Sequence, residues 1–276
     1  NCHHPFIGIH DGKALMHLTT NFSYLRVQPK LESVSNPKTY EAFTCLKQGT
    51  TFDTDSPQLD RNKDGKLIYA WKQDTDPVNY DQQEQLIKAG HIQPEEAWIQ
   101  LTDINTGTRL PNVGRGSVYW NNYRQKWILI TGAMDTWYSE ADTPIGPWVF
   151  ARQVAEHQSF LYNPTQQPIF DQNNGEDIFF EGTFTKFVST AERVPRYDYN
   201  QINYKLTLSN EDVFLPEAVY QTNKGYSLLK DINDKNSVID IGFYAMPKDR
   251  KVKGMIPIYQ SKKGKLLTKG SSSVFY

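Results

Sequence analysis

The sequence predicts an all-β protein, and within that class a five-bladed β-propeller with short helical insertions between the blades. A turn followed by an apolar run recurs at intervals of about 50 to 60 residues, close to the length of a propeller blade. The turns lie at Gly12, Gly65, Gln125, Gly175 and Gly225. Because all-β proteins of 276 residues often form one domain, we expect residues 1–276 to be a single propeller, which could be a trimmed portion of a longer chain.

The third unit shows the blade pattern most clearly. Its four apolar runs cover residues 116–120, 127–130, 137–141 and 148–151, and turn residues separate them. Pro147 directly precedes the fourth run. Since proline has no N–H to donate to a neighbouring strand, the fourth run is expected to be an edge strand, as the outermost strand of a blade is.

Two helical insertions interrupt the repeat. A helix capped by Asp81 and ended by Gly90 is predicted between the second and third turns, with Pro94 opening another turn. A second helix is predicted from Asn36 to about Gly49. Trp98 lies in the insertion that contains the Asp81 helix and is expected on the surface, where it could stack on a sugar ring. The tryptophans of the predicted strands are expected to pack in the sheets.

Composition restricts the partners. The net charge is −1, which gives no electrostatic reason to expect nucleic acid or an anionic membrane as a partner, since both bind a basic surface. No apolar run approaches the roughly 18 residues of a membrane-spanning helix. Cys2 and Cys45 could form a disulfide in an exported protein or remain two small apolar side chains. We expect a monomer.

A hairpin predicted over residues 162–185 carries the main candidate for chemistry. Residues 171–175 supply its turn, and its second apolar run contains Glu181, directly after two phenylalanines and before Gly182. A carboxylate in such a run must either reach solvent at a strand end or take part in a function. Glu181 is therefore a candidate catalytic residue.

Short segments resemble a known group of enzymes. Ser-Glu-Ala-Asp followed by residues 143–148 resembles the turn between the third and fourth strands in five-bladed propeller glycosidases of the arabinanase, β-xylosidase and invertase-like families. Glu181-Gly182-Thr183 is similar to their Glu-Gly-Pro or Glu-Cys-Pro segment, which carries the general acid, with Thr183 in place of proline. Residues 162–206 look more like a group of bacterial secreted propeller proteins. The resemblance implies a glycosidase in an extracellular or periplasmic location, with Glu181 as its general acid.

Glycoside hydrolysis normally needs a second carboxyl group. In a propeller, the starts of the inner strands converge at the axis, and Asp55 and Glu217 lie at such starts. Asp55 is the candidate base, although its Asp/Thr/Ser neighbourhood is also typical of a turn. Glu217 follows a proline and could equally be a solvated strand start.

Further polar residues at the predicted strand starts and in one long loop are candidates for substrate binding. They are His4, Arg115, Asn163, Gln166 and Arg196. His3 and His4 are adjacent, so at most one can point towards the axis. Arg196 could clamp a carboxylate or sulfate of an acidic polysaccharide, or lie solvated on the loop.

No spacing of His, Asp and Glu makes a convincing metal site, and residues 60–65 are interpreted as a turn. No cofactor is expected, although a structural or axial calcium ion is compatible with the sequence. The preferred hypothesis is a glycoside hydrolase that acts on a plant or algal polysaccharide or its oligosaccharides. A non-catalytic carbohydrate-binding propeller is one alternative. The other is a polysaccharide lyase, which would use a Tyr or His base and an Arg near the substrate carboxylate.

Overall fold

The computed structural model describes residues 5–10, 12–18, 24–111, 113–155, 161–185, 199–215, 218–222, 225–227 and 240–245. These residues form four β-sheets and two short α-helices, which confirms the all-β class. The described sheets are open, so the five-bladed arrangement stays a prediction. The chain divides into two compact units, Asn1–Trp98 and Ile99–Tyr276.

The first unit contains one antiparallel sheet whose five strands lie in sequence order. The strands are β1 (Phe6–His10), β2 (Lys13–Leu18), β3 (Leu25–Val27), β4 (Glu41–Thr44) and β5 (Ala70–Gln73). Gly12 lies in the turn between β1 and β2 with a φ of 73°, which confirms the first predicted turn. The next turn is also confirmed, because Gly65 has a φ of 77° and the Asn62 side chain accepts from the backbone N–H groups of Asp64 and Lys66.

The helices of this unit confirm one of the two predicted insertions. Helix α2 spans Tyr80–Lys88, but Asn79 caps it instead of Asp81, because the Asn79 side chain accepts from the backbone N–H of Gln82 at 2.8 Å. The helix predicted from Asn36 to Gly49 is wrong. That region holds a single 3-10 turn at Pro37–Thr39 and then strand β4, while the short helix α1 lies earlier, at Leu31–Val34.

The core of the first unit is partly aromatic. Trp98 is only 4% exposed, and its ring packs edge-on against Phe43 with 4.8 Å between the ring centroids. The prediction of a surface Trp98 is therefore wrong. Cys45 is a buried free thiol, and burial raises its pKa to about 11.

The second unit begins with a five-stranded sheet in the order β6-β10-β9-β8-β7. Its strands are β6 (Ile99–Asp103), β7 (Gly116–Asn121), β8 (Lys126–Ala133), β9 (Asp135–Ala141) and β10 (Trp148–Ala155). Strands β7 to β10 form the antiparallel meander predicted for the third unit. Strand β10 is not an edge strand, because β6 pairs with it in parallel. Pro147 precedes the first residue of β10, so its missing N–H does not interrupt this pairing.

Two smaller sheets follow. The first consists of β11 (Leu161–Gln166), β12 (Asp177–Thr185) and β13 (Tyr199–Thr207), all antiparallel and in sequence order. The second consists of β14 (Ala218–Thr222), β15 (Gly225–Ser227) and β16 (Asp240–Ala245), with β14 in the middle. Short 3-10 turns lie at Pro168–Phe170, Asn173–Gly175 and Glu211–Val213. The hairpin predicted over residues 162–185 is thus confirmed as β11 and β12, joined by a longer connection.

Asp177, the first residue of β12, links this connection to β13. Its carboxylate accepts from Thr207 Oγ1 at 2.6 Å and Asn173 Nδ2 at 2.8 Å, and Lys205 Nζ lies 3.0 Å from it. The bond from Thr207 is the largest cause that lowers the pKa of Asp177, followed by Lys205. A lowered pKa in the folded state stabilises the fold above the ordinary carboxyl range, and this contribution is lost as the pH falls through the lowered pKa.

Replacing Asp177 by Asn is therefore expected to lower the thermal unfolding midpoint at pH 7. Its difference from wild type should shrink as the pH falls below about 4, where the wild-type carboxylate is also protonated. Unfolding followed by circular dichroism between pH 3 and 7 measures this. Asp64→Asn is the control, since Asp64 is exposed in a turn. A difference from wild type that stays constant over this pH range would contradict the interpretation.

Candidate functional site

The connection between β11 and β12 holds two carboxyl groups through two consecutive glutamines. Gln166, the last residue of β11, donates from Nε2 to Asp171 Oδ2 at 3.1 Å. Gln167 donates from Nε2 to Glu181 Oε1 at 2.7 Å. Because the two glutamines are adjacent, both contacts lie near the end of β11. Gln166 is opposite the buried Phe180, whereas Glu181 faces the other side of the sheet.

Glu181 lies in the middle of β12, which is the central strand of its sheet. Its cross-strand partners are Thr165 on β11 and Asn203 on β13. Phe180 is buried and faces the core, so the next residue along the strand faces the other side. Glu181 is half-buried there and lies on the same face as the exposed Asn203. The carboxylate of Glu181, which interrupts the apolar run, thus lies outside the core and is partly accessible to solvent.

Asp171 has a perturbed carboxyl group. It follows the 3-10 turn Pro168–Phe170, is half-buried, and accepts a long hydrogen bond of 3.4 Å from the backbone N–H of Phe179. Burial raises the pKa of Asp171 above its ordinary value, and the bonds from Phe179 and Gln166 oppose this only in part. A raised pKa favours the protonated form that a general acid needs.

Sequence reasoning assigned Asp171 to the turn and missed it as a site residue. Its residue type and its place before an Asn-rich segment are those of any turn aspartate. The contact with Gln166 depends on the way the connection folds back on the end of β11. No local pattern could have shown it.

Gln166 is fully buried, and its surroundings fix its position. Its backbone N–H donates to Ser117 Oγ at 2.8 Å, which ties the end of β11 to β7. Its side-chain Oε1 is buried and has no hydrogen-bond partner among the described residues. The predicted contact of Gln166 with a substrate stays a prediction, and the contact that the structure shows is with Asp171.

Two large apolar side chains are exposed directly beside Asp171. Ile169 is 85% exposed and Phe170 is 60% exposed. Exposed aromatic rings beside polar groups are typical surfaces for stacking on a ligand, because they combine apolar area with little conformational freedom. The connection thus presents an aromatic ring and an acid next to each other.

Arg115 and Asn163, both predicted from the sequence to bind substrate, are in contact. Arg115 Nη1 donates to Asn163 Oδ1 at 3.2 Å and to the Tyr162 hydroxyl at 3.0 Å. Tyr162 lies opposite Thr183 and therefore on the same face of the sheet as Glu181, two residues along β12. Two residues of a strand span about 6.6 Å. Tyr162 itself was not predicted as a site residue.

The remaining predicted residues are Asp55, His4, Arg196 and Glu217. Asp55 is exposed in the first unit, and its backbone N–H donates to Asp53 Oδ1 at 2.9 Å, which is the turn geometry that its sequence also suggested. Its catalytic role stays a prediction. His4, Arg196 and Glu217 lie outside the described residues.

Within the described residues, no group of three or more His, Cys, Asp or Glu side chains is arranged to hold a metal ion. No helix in the described part of the chain is both long enough and apolar enough to span a membrane.

Comparisons with protein-family models, with curated proteins and with solved structures find no match for this chain. The resemblance to propeller glycosidases therefore rests on the short segments that carry it.

Proposed function

We propose that this protein is a glycoside hydrolase that uses Asp171 and Glu181 as its two carboxyl groups. The observation that supports this most is the pair of consecutive glutamines that holds one carboxyl each near the end of β11. Hydrolysis of a glycosidic bond needs one protonated and one ionised carboxyl group on either side of the bond. The substrate would be a plant or algal polysaccharide or its oligosaccharides, and the location extracellular or periplasmic.

The environments of the two carboxyl groups favour a division of roles. Asp171, whose pKa burial raises, donates its proton to the glycosidic oxygen as the bond to the anomeric carbon breaks. Glu181, held by a hydrogen bond from Gln167, acts as the carboxylate that attacks the anomeric carbon or removes a proton from the attacking water. This assigns the acid role to Asp171, whereas the sequence resemblance assigned it to Glu181 and the position of Asp55 at a predicted strand start made that residue the candidate base.

Phe170 and Tyr162 would contact the sugar. Both rings are exposed, at 60% and 43% respectively, and both lie close to the proposed carboxyl groups along the chain or across the sheet. Aromatic rings stack on the apolar face of a sugar, while Asn163 and Arg115 offer polar contacts to its hydroxyl groups.

We also propose that the sheets are blades of a five-bladed β-propeller. Support comes from the meander β7 to β10, which has the four antiparallel strands of a blade, and from the shorter meander β11 to β13. The recurrence of turns in the sequence supports a fifth unit of the same kind.

One observation favours a second candidate, a polysaccharide lyase. Arg115 donates to the hydroxyl of Tyr162 at 3.0 Å, and a lyase combines a Tyr base with a cation that neutralises the substrate carboxylate. A lyase would not need the pair Asp171 and Glu181.

A screen of plant and algal polysaccharides tests the proposal. We expect new reducing ends without a rise in ultraviolet absorbance, because hydrolysis adds water and leaves no double bond. Products with an unsaturated sugar would identify a lyase. Binding of a glycan without any product would identify a carbohydrate-binding module. Either of these two results would overturn the hydrolase proposal.

A further inference from the structure

We propose that Arg115 binds an anionic group on the sugar, which makes the ligand an acidic polysaccharide. That this ligand is also the substrate rests on the proposed function, but anion binding itself does not require hydrolysis. Three features of Arg115 support anion binding. Among the described residues, one edge of its guanidinium donates no hydrogen bond, its backbone is closely packed, and the side chains that it contacts are neutral.

Among the described residues, the guanidinium of Arg115 donates hydrogen bonds through one nitrogen only. Nη1 donates to the neutral oxygens of Tyr162 and Asn163, while no acidic side chain among the described residues pairs with Arg115. The edge formed by Nε and Nη2 has no partner within the described part of the chain. An arginine in this state keeps its full charge and two parallel donors for a ligand.

In Arg124, the same edge of the guanidinium, formed by Nε and Nη2, binds a carboxylate. Its Nε donates to Glu140 Oε1 at 2.6 Å and its Nη2 to Glu140 Oε2 at 3.1 Å. Such two-point contacts match the spacing of carboxylate oxygens. The free edge of Arg115 is therefore suited first to the carboxylate of a uronic acid, and a sulfate ester has the same general chemistry.

Glycines on both sides fix the backbone of Arg115. A Cβ atom on Gly116 would lie 2.2 Å from the carbonyl oxygen of Ile130, and one on Gly114 would lie 3.0 Å from that of Gly132. The N–H of Gly132 also donates to the carbonyl oxygen of Arg115 at 3.1 Å. The chain therefore approaches β8 too closely for any neighbouring side chain, and Arg115 is anchored at this crossing.

Asn163 and Tyr162 hold the side chain without neutralising it. Asn163 has a φ of 55° at the irregular pairing between β11 and β12, a conformation that asparagine tolerates better than most residues. Tyr162 is exposed and Arg115 is half-buried, so the guanidinium is restrained and still accessible. A restrained donor loses less conformational entropy when it binds a ligand than a mobile one does.

The position of Arg115 relates this anion site to the carboxyl groups. Tyr162, which Arg115 contacts, is opposite Thr183, and Thr183 is two residues from Glu181 on the same face. A bound uronate would thus lie within one or two sugar units of the bond to be cleaved. Among the described residues, Glu181 accepts from Gln167 and does not form an ion pair with the guanidinium of Arg115.

Binding measurements on the full chain test the inference independently of turnover. The protein carries Glu181→Gln so that no probe is consumed, and calorimetry compares trigalacturonate, its methyl ester and a sulfated galactan oligosaccharide. We expect trigalacturonate to bind at least about tenfold more tightly than its ester. Arg115→Gln should remove this difference, Arg115→Lys should keep part of it, and Lys30→Gln, which removes an exposed charge of the first unit, should leave it intact.

The outcomes separate this inference from the proposed function. Tighter binding of the sulfated probe than of trigalacturonate, again lost in Arg115→Gln, would support anion binding and assign sulfate as the group. Equal affinity for charged and esterified probes, no binding of any probe, or a difference that survives Arg115→Gln would overturn the inference. Arg115-dependent binding with no hydrolysis of acidic glycans by the wild-type protein would support the anion site and count against the hydrolase.

Discussion

Replacing Asp171 by Asn is expected to lower the turnover of a responsive glycan by about 100- to 10,000-fold, the usual contribution of a general acid. The substitution keeps the size of the side chain and removes its transferable proton. Measurement of kcat on the best substrate from the glycan screen checks this. Asp177→Asn, at the start of β12 and outside the proposed machinery, should leave kcat within a few-fold of wild type.

The same Asp171→Asn substitution is expected to raise thermal stability at pH values above the folded-state pKa of Asp171. Burial raises the pKa of Asp171 in the folded state, so its contribution to stability is full below the unfolded pKa and is lost as the pH rises through the folded pKa. Above that pKa the buried charge costs stability, and Asn removes that cost. Unfolding midpoints between pH 4 and 8 should show the variant gaining on wild type as the pH rises. A variant that loses both activity and stability would point to a structural role instead.

Replacing Glu140 by Gln is expected to destabilise the second unit by about 3 to 5 kcal/mol, the usual result of breaking a buried ion pair. The carboxylate of Glu140 accepts from Arg124 Nε at 2.6 Å and Nη2 at 3.1 Å, and the hydroxyl of Tyr138 also donates to it. Arg124 and Glu140 are both largely buried. Without the carboxylate, the charge of Arg124 remains buried and unpaired.

Denaturant unfolding measures this effect, and two further variants define its cause. Tyr138→Phe, which removes one hydrogen bond to the charged carboxylate, should cost about 1.5 to 3 kcal/mol. The double variant Arg124→Met/Glu140→Leu should be less destabilised than Glu140→Gln, because it removes both charges together. A double variant that is more destabilised than the single one would show that the pair itself stabilises the fold.

The sequence predicted the features that depend on local chemistry. Turns at Gly12, Gly65, Gln125 and Gly175 need a positive φ, and each of these residues has one. The meander β7 to β10 was predicted from runs of strand-forming residues between such turns. Where the outcome depended on distant partners, prediction failed. Strand β4 was predicted as helix because its pairing with β3 and β5 is not visible in a local pattern.

Burial and edge positions were also beyond local patterns. Trp98 was expected on the surface, yet it packs on Phe43, which lies more than fifty residues earlier in the chain. Strand β10 was expected at an edge, but β6 comes from a separate segment and pairs with it. In both cases a contact between distant parts of the sequence decided the result.

The candidate site shows the same division. Glu181 was predicted because a charge that interrupts an apolar run is visible in the sequence, and Arg115, Asn163 and Gln166 were predicted from their positions at strand starts. Asp171 was not, because its chemistry arises from burial and from a glutamine that the connection brings to it. The catalytic role of Asp55, which lies in the first unit, stays a prediction.

The turnover of the Glu181→Gln variant tests the central claim most directly. Gln keeps the shape of the side chain and removes the charge that would attack the anomeric carbon or activate water. The hydrolase proposal predicts that glycan hydrolysis falls by at least about 100-fold while the unfolding midpoint stays close to that of wild type. A variant that hydrolyses the same glycan at the wild-type rate would contradict it.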